Sequence, residues 1–279
     1  MSDPSQSKYG LIAGNGRFPF LALDTAQKLG HDVVVIAIEG EASRQIEEVG
    51  VPVHWITIAQ LGKLIDILKR EHIREVMMAG QVKHVSIFSS LTPDWRLFKL
   101  LTSLKEKNTA ALIGGVQQVL KDEGIELVDS TRLLKPLLAS AGVMTKRKPS
   151  RDEEIDVRYG RKLARTLASA DIGQSVAISE KACVAAEAME GTDAMLRRAA
   201  TLNAGRPLRL VKASNGRAHL LFDVPVVGLQ TIDTMVETGT TALAIDAERT
   251  LLLDKLELLK RADTAGITVI AYPAEEDKL

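Results

Sequence analysis

Tyr9-Gly-Leu-Ile-Ala-Gly14-Asn15-Gly16-Arg-Phe-Pro19 is the stretch that decides the fold. A short apolar run enters a Gly-x-Gly turn, and a helical pattern follows over residues 19–29. Proline is harmless in a first helical turn, because the N–H it lacks has no helical partner there. Strand, glycine turn and helix in this order form a βα unit of the kind that cradles phosphate. Glycine lets the backbone approach the ligand closely, and the helix N-terminus offers free N–H groups with partial positive charge.

Working outward, residues 33–38 are an unbroken apolar run rich in β-branched side chains, which predicts a strand buried on both faces. Strands are also predicted at 53–56 and 76–79, with helices at 41–49, 59–70, 95–105 and 109–123. Such alternation predicts a parallel sheet with helices on both faces. The basic, proline-containing Thr145-Lys-Arg-Lys-Pro-Ser150 reads as an exposed crossing between domains. The expected architecture is α/β: a Rossmann-like parallel-sheet domain over 1–144, then a mixed α/β domain over 145–279. In the second half, 152–169 reads as a helix. Residues 175–179 and 182–187 read as a hairpin turning at Glu180-Lys181. A helix over 192–203 is expected with Thr192 as its N-cap. Strands at 208–212, 219–222, 242–246 and 267–271 and helices at 231–237 and 255–265 complete the pattern.

Composition narrows the function classes. Lys plus Arg and Asp plus Glu are balanced at 36 each among 279 residues, so overall charge makes no case for nucleic acid. Cys183 is the single cysteine, which excludes an internal disulfide and fits a reducing compartment. It is expected in the core of a strand. Residues 1–7 are polar, and no apolar run nears the roughly 20 residues that span a bilayer. The expectation is a cytoplasmic protein without a leader or a membrane span. The five histidines are scattered without zinc-type spacing, and no Gly-x-Ser-x-Gly elbow is present.

The chemistry-bearing residues fall into two groups. Gly14, Asn15 and Gly16, with Gly80 and Gln81 after the fourth strand, lie at the carboxyl edge of a parallel sheet, where ligands bind. Glu39 ends the second strand, where an acid can meet a ribose hydroxyl. Pro19 replaces the third glycine of the dinucleotide fingerprint, which argues against a nicotinamide oxidoreductase without eliminating it. The second group is Glu187-Ala-Met-Glu190-Gly191-Thr192-Asp193. Three carboxylates at a spacing of three repel one another unless a cation or basic groups sit among them. Asp223 follows the apolar Leu220-Leu221-Phe222 and precedes Val224-Pro225, a setting that perturbs an acid or gives it a metal. Asp171 reads as a turn residue. Magnesium uses one or two carboxylates together with phosphate oxygens and water. Lys212 or Arg197 could neutralise phosphate.

At these residues the chain resembles a known family. Residues 10–19, Ala79-Gly-Gln-Val82, Asp129-Ser-Thr-Arg-Leu-Leu-Lys-Pro136, Asp171-Ile-Gly-Gln174, Glu187-Ala-Met-Glu-Gly-Thr-Asp-Ala194 and Phe222-Asp-Val-Pro225 look like the UDP-2,3-diacylglucosamine pyrophosphatases of lipid A biosynthesis. The resemblance is to the two-domain Rossmann-like kind, not the calcineurin-like metallophosphoesterases. It implies hydrolysis of a lipid-linked nucleotide sugar to UMP and 2,3-diacylglucosamine 1-phosphate. It also implies Mg²⁺ or another divalent cation such as Mn²⁺, a lipid lying between the domains, and transient contact with the inner membrane face. It implies a functional aspartate at Asp223. With it, Asp223, Asp193 and Glu190 are the candidate catalytic residues, and Asp193, Asp223 and Glu187 the candidate metal ligands. Gly14, Asn15, Gly16, Gly80, Gln81, Gly191, Thr192 and Lys212 are the candidate substrate-binding residues. The chain departs from the family's Lys-Pro-x-Gln-Asp-x-Arg-Phe-Asp pattern, with Ala218-His219 and Leu221 in place of Gln-Asp and Arg. That departure keeps open a binding protein that has lost catalysis.

Overall fold

The computed structural model describes residues 8–80, 82, 92–104, 109–129, 131, 134–214 and 224–273. The candidates Gln81 and Asp223, and the predicted strand at 219–222, lie outside them. The chain divides into two compact units, Met1–Leu134 and Lys135–Leu279.

The first unit is the parallel α/β domain that the glycine turn predicts. Its strands are β1 (Lys8–Ala13), β2 (Asp32–Ile38), β3 (Val53–Ile56), β4 (Glu75–Ala79) and β5 (Glu126–Leu127). They pair in the order β3-β2-β1-β4-β5, all parallel. Helices α1 (Phe18–Lys28), α2 (Leu61–Arg70), α3 (Trp95–Ser103) and α4 (Thr109–Asp122) connect them. Along β1, Tyr9, Leu11 and Ala13 alternate onto one face and pack with Ala22, Leu23 and Ala26 of α1. One predicted element changes type: within 41–49 only Arg44–Val49 is helical, and it is a 3₁₀ turn. Ser43 caps it through the Gln45 amide, and Gly50 ends it in the left-handed region, so there is no room for a full α-helix.

The second unit holds a mixed sheet. Its strands are β6 (Gly142–Val143), β7 (Ser175–Ser179), β8 (Ala182–Ala186), β9 (Leu208–Lys212), β11 (Thr240–Asp246) and β13 (Thr268–Tyr272). The order is β6-β13-β11-β9-β7-β8, with β9, β11 and β13 parallel and the other pairs antiparallel. Two short strands, β10 (Val226–Val227) and β12 (Leu251–Leu252), form a separate parallel pair. Because β6 pairs with β13, residues 142–143 belong to this unit, ahead of the basic stretch at 145–150. The predicted hairpin turns through Glu180 and Lys181, both left-handed with φ of 50° and 63°. Consecutive left-handed residues match the twist of the flanking strands.

Helix α5 (Arg151–Ser169) covers one face of the sheet; α6 (Thr192–Leu202), α7 (Leu229–Glu237) and α8 (Lys255–Thr264) cover the other. Alternation sorts the strand residues. Ala177, Leu210, Leu243 and Ile245 join the core of the α6–α8 face, and Val176, Ile178, Val211 and Ala244 join that of the α5 face. The same alternation puts Ser175 and Lys212 on the α6 side and Asp246 on the α5 side.

α5 begins with a reciprocal cap: Ser150 accepts from the Glu153 amide, and Glu153 accepts from the Ser150 amide. Arg147 adds two bonds to the same carboxylate, at 2.9 and 2.7 Å, and the Thr241 hydroxyl a third at 2.5 Å. Burial pushes the Glu153 carboxyl up, but the bonds from Arg147, Thr241 and the Ser150 backbone outweigh it and hold it at about 2. A depressed folded-state value means that the stabilisation is present above the ordinary value of 4.5 and is lost as pH falls toward about 2. Wild type is therefore expected to lose more unfolding free energy than Glu153→Gln between these two pH values, as measured by urea midpoints.

Candidate functional site

Each unit presents one polar carboxyl edge. In the first, the Gly14 amide donates to the Ala79 carbonyl at 2.8 Å, tying the β1 turn to the end of β4. Gly80 follows with φ of 91°, and a Cβ built there would lie 2.5 Å from the Asn15 carbonyl oxygen. The two glycine turns that sequence reasoning named separately are thus stacked backbone on backbone. Gly14 is buried, whereas Asn15 and Gly16 are exposed at the start of α1. Arg17, the N-cap residue of α1, makes no side-chain bond to the first turn. The N–H groups of that turn and the open Gly16 turn suit an anionic ligand. Glu39 stands exposed at the end of β2 on the same edge.

In the second unit, Ser175 pairs with Lys212 across the antiparallel β7–β9 ladder. Lys212 is 8% exposed, and its Nζ donates to the Thr192 hydroxyl at 3.1 Å and, more weakly, to Ser175 Oγ at 3.5 Å. The Thr192 hydroxyl donates in turn to Glu187 Oε1 at 2.9 Å, and Ser175 Oγ lies 3.1 Å from Thr192 Oγ1. The other Glu187 oxygen accepts from the Gln174 amide at 3.3 Å. Among the described residues no carboxylate makes an ion pair with Lys212. Among the described residues its charge is answered at second remove, through the Thr192 hydroxyl, by Glu187.

The Asp171-Ile-Gly-Gln174 segment explains itself here. Asp171 takes the left-handed conformation, with φ of 55°, that turns the chain out of α5. Gly173 lies so close to the Glu187 backbone that any side chain would overlap it, and Gln174 then donates to the Glu187 carboxylate. Thr192 is not the N-cap of α6. Gly191, at φ of 83°, holds that position, which frees the Thr192 hydroxyl for Lys212 and Glu187.

The three acids do not converge. Glu187 turns inward as described. Glu190 turns out to Arg198 at 2.5 Å, and that bond and backbone N–H groups hold its carboxyl below the usual range. Asp193 accepts from the Thr231 hydroxyl at 3.0 Å. The repulsion expected from their spacing is relieved by three separate partners. Among the described residues no three His, Cys, Asp or Glu side chains are grouped so as to hold a metal ion. Glu187 and Asp193, the described members of the expected metal set, make separate contacts, Glu187 with Thr192 and the Gln174 amide and Asp193 with Thr231. Arg197 is taken up by Glu237 at 3.0 Å and Thr234 at 3.2 Å. Cys183 is not in the core. It is exposed on edge strand β8, and partial shielding from water pushes its thiol up, away from nucleophile chemistry.

Sequence reasoning missed Ser175, Ser214, Asp246, Arg161 and Arg165, which surround the same edge. Asp246 carried a signal of the kind used for Asp223, an acid closing an apolar strand.

Comparison with known proteins agrees with this two-part layout. Residues 8–137 match the family model described as LpxI N-terminal domain, and residues 140–270 match LpxI C-terminal domain. The chain is 30% identical over 279 residues to UDP-2,3-diacylglucosamine pyrophosphatase LpxI of Caulobacter vibrioides, covering 96% of this chain and 99% of that one. Among solved structures, Acinetobacter baumannii MurG overlaps 96% of both chains at 11% identity and a TM-score of 0.32. A GalE-like L-threonine dehydrogenase from Cupriavidus necator overlaps 42% of this chain and 35% of its own, at 18% identity and a TM-score of 0.28. Overlays this loose carry no inference. The domain matches and the end-to-end relative do: the chain belongs to the LpxI family.

Proposed function

We propose that the protein hydrolyses the diphosphate of UDP-2,3-diacylglucosamine to UMP and 2,3-diacylglucosamine 1-phosphate, a step of lipid A biosynthesis. The observation that carries this reading is the 30% identity, running through 96% of the chain, to a Caulobacter protein named for pyrophosphatase action on that substrate. One water is consumed. Its oxygen bonds to one phosphorus, and the bridging oxygen leaves with the other.

In this reading the Gly14-Asn15-Gly16 turn, with Gly80 and Gln81, takes the nucleotide. Lys212, Gly191 and Thr192 meet phosphate. A buried ammonium surrounded by hydroxyls, beside a helix N-terminus, attracts an anion, since desolvated charge seeks a partner of opposite sign. Asp223, with Asp193 and Glu190, is assigned to the chemistry. Binding by Gly14 and Gly80 orients the nucleotide, and Lys212 offsets charge that builds on phosphate oxygen as the anhydride breaks. A requirement for Mg²⁺ or Mn²⁺ is a separate part of the proposal, with Asp193, Asp223 and Glu187 as the residues that would hold the ion. Such an ion would supply electrostatic withdrawal from phosphate oxygens. A substrate with two acyl chains resides in a membrane, so the protein is proposed to work in the cytoplasm in transient contact with the inner membrane face. Among the described residues no helix is long and apolar enough to cross a membrane.

The test incubates purified protein with UDP-2,3-diacylglucosamine and Mg²⁺, or with EDTA, and follows UMP. The expected result is UMP with Mg²⁺ and a loss of about 100-fold or more with EDTA. Tight binding without UMP release would replace the hydrolase by a binding protein, and an unchanged rate in EDTA would remove the cation.

A further inference from the structure

The carboxyl edge of the second sheet is polar on both faces, and the proposed reaction uses only the α6 face. The α5 face centres on Asp246, the last residue of β11, which is 3% exposed. Its Oδ2 accepts from the Ser214 amide at 2.9 Å and from the Ser214 hydroxyl at 3.1 Å. Its Oδ1 faces Arg165 Nη2 at 3.8 Å and Arg161 Nη2 at 4.0 Å, one helical turn apart on α5. Arg161 also lies over the Tyr272 ring at 4.4 Å and donates to the Pro273 carbonyl at 3.3 Å. One carboxylate therefore ties together the ends of β9 and β11 and the flank of α5.

Ser214 stands two residues beyond Lys212. The Ala213 amide still bonds across to the Gln174 carbonyl at 2.8 Å. At Ser214 the amide turns to Asp246 instead, so the end of β9 is pinned by a side chain. The Ser214 bonds are of true hydrogen-bond length, whereas the arginines stand beyond it. Ser214 is thus the partner that Asp246 holds most specifically.

We propose that Asp246 is a positioning residue: by holding Ser214 it fixes the end of β9, and with it the reach of Lys212 Nζ toward a substrate phosphate. This rests on the phosphate role given to Lys212 above. Asp246 itself meets no substrate and acts from the opposite face of the sheet.

The test uses the full chain and the variants Asp246→Ala, Asp246→Asn, Lys212→Met and the double variant Asp246→Ala/Lys212→Met. It reads kcat/KM for UMP release and hydrogen exchange at the Ser214 amide. Asp246→Ala is expected to lower kcat/KM by about tenfold or more and to speed exchange at Ser214. Asp246→Asn keeps an oxygen acceptor for Ser214 and is expected to retain at least about threefold more activity than the alanine variant. In the Lys212→Met background, Asp246→Ala is expected to cost nothing further, because both changes act through one group. The proposal is overturned by a folded Asp246→Ala variant with wild-type kcat/KM, by an asparagine variant no better than alanine, or by losses that multiply in the double variant. Should Asp246→Ala not fold, Ser214→Ala removes one of the two bonds, and its cycle with Lys212→Met decides in the same way. If wild type releases no UMP, the hydrolase reading is what fails. Exchange then decides the holding role alone, and unchanged protection at Ser214 in Asp246→Ala overturns it.

Discussion

Asp223→Ala is expected to lower kcat for UMP release by about 100- to 1,000-fold, equivalent to about 3–4 kcal/mol of transition-state stabilisation. Substrate affinity is expected to change by no more than severalfold. The argument starts from the sequence. Asp223 closes the apolar Leu220-Leu221-Phe222 run and is followed by Val224-Pro225, a sequence pattern in which an acid is expected to be perturbed. The chain is firmly held directly afterwards: Val224 is buried, and the Pro225 carbonyl accepts from the Leu251 amide at 2.9 Å. A carboxylate at this position can act on an attacking water or hold a cation, and either role is felt in the transition state rather than in the ground state. Steady-state kinetics with calorimetric binding separates the two effects. A variant with full kcat would remove Asp223 from the chemistry, and one with kcat intact but KM raised would make it a binding residue.

Gly80→Ala carries the second large effect. It is expected to reduce unfolding free energy by about 2–4 kcal/mol and to raise KM by about tenfold or more. The left-handed φ of 91° already disfavours a side chain. The larger cost is steric. The added Cβ would sit 2.5 Å from the Asn15 carbonyl oxygen and 2.8 Å from the Gly14 carbonyl carbon. Both are backbone atoms of the neighbouring turn and cannot rotate away. Relief requires moving the Gly14–Gly16 turn itself, which is why stability and nucleotide affinity are expected to fall together. Urea unfolding and KM measured on the same preparation check this. A stable Gly80→Ala variant with wild-type KM would show that the turn tolerates displacement and does not position substrate.

The parts of the fold legible in the sequence are those fixed by local chemistry. The apolar 33–38 run could be read because burial on both faces leaves no polar position in it, and Glu180-Lys181 because two strands at that spacing need a two-residue turn. The helix expected at 41–49 shrank to a 3₁₀ turn because a cap at Ser43 and a left-handed Gly50 leave too few residues between them. The candidate site was legible only in pieces. Glu187 and Thr192 stand in one stretch of sequence, but the Lys212 bond to Thr192 and the place of Ser175 beside both show only once β7 pairs antiparallel with β9. Likewise, the spacing of Glu187, Glu190 and Asp193 predicts mutual repulsion. The groups that relieve it include Arg198, a turn and more along α6, and Thr231 on another helix, and no local window of sequence shows those partners. Asp246 was passed over because its role depends on Ser214 and α5 arriving at the same strand end.

Product identification tests the central claim most directly. Purified protein with UDP-2,3-diacylglucosamine and Mg²⁺ should yield UMP and 2,3-diacylglucosamine 1-phosphate in equal amounts, followed together by mass spectrometry. UDP with a phosphate-free sugar lipid, or substrate left intact, would contradict it, because either outcome leaves the phosphoric anhydride unbroken.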